Sequence, residues 1–246
     1  MLRCVIIIST GGTTLYSKEF IKSDINLEML GAIIAATSDF SLQRTGFNVS
    51  YIEMLNVGIA VATHTSCKSI IIVDSSDGAD FARLICSEIL RTFTFKFSSE
   101  IDCTKITTTD TYAPFTSDIP DIIRYSIRPV LDHLALQRGI AVALLISKQG
   151  TNILYSTQDV DKISILAHHS RLMDLATEVM TSAMDSLQTI AMKNNDNTIH
   201  LHRLDRCSFI VITKNAAFSE ECKQEIDDCA LLLRKILTIT HNLTGN

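Results

Sequence analysis

The chain has 246 residues, of which 46% are hydrophobic and 20% charged, and a net charge of −5. That length suits one large domain or two of about 100–130 residues, and the balance is globular rather than disordered. A pI near 5.8 leaves no basic footprint for nucleic acid, and no apolar run approaches the roughly 18 residues that cross a bilayer.

A strand is predicted at 2–9, turned by Gly11 and Gly12 into a second strand at 13–17. A helix follows near 26–40, with Leu27, Leu30, Ile33 and Ile34 on one side. Three strand-like runs come next, "NVSYIEML", "VGIAVATH" and "KSIIIVDS", broken at Asn56 and at Thr65-Ser66. After Asp77-Gly78, residues Phe81, Leu84, Ile85, Ile89 and Phe93 recur at helical spacing. The order is β-β-α-β-β-β-α. Residues 101–117 are rich in Thr, carry Pro114 and read as a linker. A helix near 118–137, disturbed by Pro129, leads into "IAVALLIS", which Gly150 turns into "TNILYS". A long helical pattern over 160–192 places Leu172, Leu175, Val179, Met180, Ala183, Leu187 and Ile190 on one side. Two strands, "TIHLHRL" and "SFIVITK", and a last helix near 218–239 complete the chain. That helix has Glu220, Glu221 and Glu225 early and Arg234 and Lys235 late, which suits its dipole.

"IIISTGGTTLYS" at 6–17 and "LLISKQGTNILYS" at 144–156 are nearly the same line written twice. A duplicated module is the simplest explanation. The strands "CVIII", "SIIIV", "VALLI" and "FIVIT" are apolar on successive residues, so both faces of each sheet want cover. With both helices of a module on one face, the other face or an edge is expected to need a partner.

The seven cysteines, at 4, 67, 86, 103, 207, 222 and 229, are odd in number and lack Cys-x-x-Cys spacing. That argues against a disulfide framework or zinc knuckle. Cys86, Cys222 and Cys229 fall in apolar helical patterns, where Cys acts as a small hydrophobe. The opening "MLRCVIIIST" lacks the length and cleavage site of a signal peptide. The cytosol is therefore the expected compartment, and the sequons at Asn48 and Asn242 are read as chance. "STGGTT" resembles the turn of bacterial-type asparaginases, in which Thr13 would match the nucleophile. The family's second stretch, His-Gly-Thr-Asp-Thr, has no counterpart beyond "TTTDT" at 107–111, and a hairpin turn using glycine is the plainer reading. No phosphate loop, dinucleotide fingerprint or nucleophile elbow occurs. His200 and His202 share a strand face near Cys207, but no further ligand completes a metal site. These two, with His168 and His169, read as solvated or hydrogen-bonded histidines. No catalytic, metal or cofactor residue is assigned.

The "LRCVIIISTGGTTLYSKEF" hairpin, the strand series and "DFARLICSEILRTFTFKF" resemble a longin domain. A leading helix before "GIAVALLISKQGTNILYS" resembles the related roadblock type. The long helix at 160–192, and only two clear strands after it, depart from that pattern. The resemblance implies an α/β (α+β) fold of two modules, each an antiparallel sheet with flanking helices: a longin-like domain at 1–100, a linker at 101–117 and a roadblock/longin-like domain at 118–246. It further implies a non-enzymatic scaffold without a cofactor. Such a subunit pairs with other longin/roadblock chains, binds or regulates a small GTPase, and is recruited to endomembranes through partners; a coat-adaptor small subunit of longin type is the neighbouring alternative. The implied contacts are Thr14, Leu15 and Tyr16 of the first hairpin and Ile153, Leu154 and Tyr155 of the second, where strand edges offer unpaired backbone groups.

Overall fold

The computed structural model describes residues 1–22, 26–101, 109–159, 161–182 and 188–244. The chain divides into two compact units, Met1–Ser126 with Ile239–Asn246, and Ile127–Thr238. Among the described residues no helix is long and apolar enough to cross a membrane.

The first unit contains β1 (Leu2–Ser9), β2 (Thr14–Glu19), α1 (Leu27–Thr45), β3 (Tyr51–Glu53), β4 (Val57–Thr63), β5 (Cys67–Asp74), α2 (Ala79–Lys96), the short α3 (Ser98–Ile101) and α4 (Ile119–Tyr125). The strands form one antiparallel sheet in the order β2-β1-β5-β4-β3. α1 starts at Asn26, whose side chain accepts a hydrogen bond from the Met29 N–H, and stops at Gly46 in the left-handed region at φ 75°.

The expectation that both helices share one face is wrong. Cys4, Ile6 and Ile8 of β1 join Ile70 and Ile72 of β5 in a core that takes in Ile34 and Ala35 of α1. Gly31 lets α1 approach closely; a Cβ there would lie 3.3 Å from Ile6 Cγ2. The alternate residues, Val5, Ile7, Ile71 and Val73, are equally buried. On that side Tyr16, paired with Ile7, packs against Phe93 of α2. Successive apolar residues in a strand point to opposite faces, so one helix per face covers both, and neither face of the sheet waits for a partner.

Thr109–Ser117, within the stretch whose composition suggests a linker, is a 3-10 segment. Tyr112 and Phe115 are fully buried, their rings 5.2 and 5.0 Å from that of Phe93.

The second unit contains α5 (Ile127–Ala135), β6 (Ile140–Ser147), β7 (Ile153–Ser156), α6 (Lys162–Ser182), β8 (Thr189–Lys193), β9 (Asn197–Arg203), β10 (Cys207–Lys214) and most of α7 (Glu220–Thr244). The helix predicted over 118–137 is thus two, α4 and α5. Pro129 stands in the first turn of α5, where a missing N–H leaves no helical bond unmade. The helix predicted over 160–192 is also too long. It gives way to β8, which pairs antiparallel with β9 and supplies the third strand. Ile190 fits either period, but Ile190 and Met192 alternate with more exposed neighbours, as an edge strand requires. Ala183 and Leu187 lie outside the described residues.

The second sheet has the order β7-β6-β10-β9-β8, strand for strand that of the first. The likeness extends to single bonds. Both hairpins shift register at the same step, between Ile7 and Ile8 and between Leu145 and Ile146. Ser9 Oγ accepts from the Thr13 N–H at 3.1 Å, and Ser147 Oγ from the Asn152 N–H at 3.2 Å. Gly12 and Gly150 both turn at positive φ, 83° and 68°. The repeated line in the sequence is a repeated module: two antiparallel five-stranded sheets with flanking helices.

Candidate functional site

Thr13 is exposed in the β1–β2 turn, where its backbone oxygen accepts from the Ser9 N–H at 2.8 Å and its N–H reaches Ser9 Oγ. The turn is built from its own backbone, as the glycine-hairpin reading requires. Of the other threonine stretch, Thr107 and Thr108 lie outside the described residues, and Asp110 is exposed in the 3-10 segment.

The six residues expected to make contacts fall on edge strands. Thr14, Leu15 and Tyr16 stand together on β2, and Ile153, Leu154 and Tyr155 on β7. Their side chains differ in availability. Leu15 and Tyr16 are buried, the Tyr16 ring lying edge-on to Phe115 at 5.4 Å. Leu154 is 56% exposed, whereas the Tyr155 hydroxyl donates to Asp132 of α5. The outward surface of β2 comes instead from Ser17 and Lys18.

Sequence reasoning missed a larger surface. α1 is apolar on two sides. Leu27, Leu30 and Ile34 face the sheet. On the opposite side Met29, Ile33, Ala36 and Phe40 repeat at i, i+4, i+7 and i+11 and are exposed, Phe40 at 62%. Phe47 beyond the helix and Met54 and Leu55 after β3 are exposed as well. The signal was readable as a second apolar stripe at helical spacing. Spacing alone does not say which of two stripes the sheet takes. Exposed clusters of large apolar side chains mark interaction surfaces more often than scattered single ones do.

His200 and His202 share a face of β9, as alternation requires. His200 stacks on Phe218 at 5.2 Å and lies 3.3 Å from Thr213 Oγ1. His202 is buried beside Phe209. Burial pushes both rings down from the usual imidazole range, with Asp227 opposing. Burial also pushes the Cys207 thiol up to about 12. Among the described residues no three His, Cys, Asp or Glu side chains gather as ligands. His169 is 4% exposed, and neither ring nitrogen has a hydrogen-bond partner among the described residues. The side chain of His168 lies outside the described residues. The six described cysteines are buried and unpaired; Cys103 lies outside the described residues.

No protein-family model matches the chain, and no curated protein matches it in sequence. Among solved structures it is similar to MglB of Myxococcus xanthus, at 18% identity and a TM-score of 0.42, over 46% of this chain and 94% of that one. It is also similar to a roadblock/LC7 domain from Streptomyces avermitilis, at 14% identity and 0.40, over 44% and 95%. A chain in a homology model of the full-length AP-3 complex is similar over 76% of this chain and 100% of its own, at 12% identity and 0.36.

Proposed function

We propose that this chain is a non-enzymatic scaffold or adaptor subunit. It pairs with other longin/roadblock-type chains and binds or regulates a small GTPase in membrane traffic or lysosomal signalling, on the cytoplasmic side of endomembranes. The observation that carries the reading is the exposed apolar stripe Met29, Ile33 and Phe40 on α1. A helix that spends its inner face on its own sheet and keeps a second apolar face in water has a surface suited to a protein partner. The edge strands β2 and β7, with Thr14–Tyr16 and Ile153–Tyr155, are the proposed sites of strand-to-strand pairing. The resemblance to longin and roadblock modules supplies the class of partner.

The test is binding of the purified chain to a panel of small GTPases loaded with GDP or a GTP analogue, alongside longin-type subunits. Saturable binding that prefers one nucleotide state is expected. Failure to bind any GTPase or any longin-type chain, at concentrations well above micromolar, would overturn the proposal.

A further inference from the structure

The first sheet is closed by α1 through Gly31. The corresponding helix of the second unit, α6, has no glycine anywhere along Lys162–Ser182, and it meets the core of its sheet through the partly buried side chains of Ile165, Leu166, Leu172 and Met173. Between them lies a cavity of about 550 Å³. Its floor is Leu144, Ile199, Leu201 and Ile210; Ile165 and Leu172 of α6 form its roof. That volume is within the roughly 300–1,000 Å³ of small-molecule sites. Two polar groups interrupt the apolar lining. His169 faces the cavity, 4% exposed, with Nδ1 and Nε2 both unpartnered. Arg171, exposed, also lines it and makes no ion pair among the described residues. A buried polar group without a partner is unfavourable, and each such case calls for an explanation. Burial holds the His169 ring below the usual imidazole range, so near neutral pH it presents one donor and one acceptor.

We propose that this cavity binds a medium-chain fatty acid, its alkyl chain over Leu144, Leu201 and Ile210, its carboxyl group at His169, and its charge balanced by Arg171. The lining selects this class. An apolar trough with one hydrogen-bonding ring and one cation suits a long apolar body carrying a single anionic group. Sugars and nucleotides would bring many polar groups that the lining leaves unpaired. The inference is independent of any GTPase or partner chain.

Dodecanoic acid is the probe. Titrated into the full chain with methyl-labelled Ile and Leu, it is expected to bind saturably at one site, shifting the methyl resonances of Leu144, Ile199, Leu201 and Ile210 and the ring nitrogens of His169. Methyl dodecanoate, which keeps the chain and loses the charge, is expected to bind roughly tenfold more weakly or worse. This comparison also separates a free acid from an acyl group esterified to another molecule. His169→Leu should weaken the acid by a similar factor while leaving the ester unchanged. Absence of saturable binding, shifts confined to residues outside the cavity, or ester binding as tight as the acid would each overturn the proposal. These arms use the unaltered chain, so they decide the matter even where the variant does not fold.

Discussion

The Tyr16 hydroxyl lies 3.0 Å from Thr116 Oγ1, a hydrogen bond across 100 residues of chain. It ties edge strand β2 to the 3-10 segment beyond α2. Around it Phe93, Phe97, Tyr112 and Phe115 form a buried ring cluster with centroids 4.9–6.1 Å apart. Tyr16→Phe removes the bond and keeps the packing, and should cost about 1 kcal/mol. Phe115→Ala opens a cavity where exposure is 0% and should cost about 3–5 kcal/mol. Urea unfolding followed by a probe in the first unit measures both. A Phe115→Ala variant as stable as the parent would mean that the segment is not docked in solution.

The described thiols should resist modification in the folded chain. Burial pushes Cys4, Cys86, Cys207 and Cys229 up to about 12 and Cys67 to about 11. The thiolate is the reactive form, so little is present at neutral pH, and access is blocked as well. Alkylation mapped by mass spectrometry should find these positions slow in buffer and fast in denaturant. Rapid native labelling of Cys4 or Cys86 would contradict the packing of the first sheet.

Element order was legible because each module writes the same signals: an apolar run, a glycine turn, Leu-Tyr-Ser, then a helical period. The successive apolar residues of "CVIII" and "SIIIV" also announced two covered faces. Assigning both helices to one face followed a habit of antiparallel sheets, when the strand pattern already demanded one helix per side. β8 was hidden because Ile190 continues the apolar period of α6, and three-residue agreement with a helix looks the same as three-residue agreement with a strand. Tyr16 and Tyr155 occupy matching positions, yet only the structure shows one sealed under Phe115 and the other bonded to Asp132. Such differences depend on residues far away in sequence, and no local pattern carries them. The cavity beside α6 was beyond sequence for a related reason: it is defined by how side chains of a helix and a sheet meet.

Acidification should destabilise the second unit. Burial lowers the pKa of His169, His200 and His202 in the folded chain. The unfolded chain therefore takes up these protons first, at about pH 6.5. Stability is complete above that value and falls as pH drops through it, until the folded histidines also protonate. The melting temperature should be lower at pH 5.5 than at pH 7.5. Asp227 opposes the shift at both β9 histidines, His200 and Arg234 reinforcing it at His202. Asp227→Asn should thus steepen the loss, and replacing His202 with Gln should flatten it. A melting temperature equal at both pH values in the parent chain would show that these rings titrate normally.

Substitution on the outer stripe of α1 separates a binding surface from a structural one. Ile33 is 52% and Phe40 62% exposed; on the opposite side of the helix Ile34 is 4% exposed. Phe40→Asp also places a carboxylate near Arg44, whose guanidinium now lies 5.7 Å from the Phe40 ring centre, an i, i+4 spacing that tolerates the charge. Ile33→Asp and Phe40→Asp should therefore change folding stability by less than about 1 kcal/mol. Ile34→Asp, one residue away, should unfold the first unit, because it buries an unpaired charge. Association with a partner chain should weaken by at least about tenfold in the two outer variants if the stripe is a hot spot. Urea unfolding gives the stability of each variant, and titration against whatever partner the panel identifies gives its affinity. Should Ile33→Asp and Phe40→Asp bind as the parent does, the stripe plays no part in recognition, and the edge strands alone would have to account for pairing.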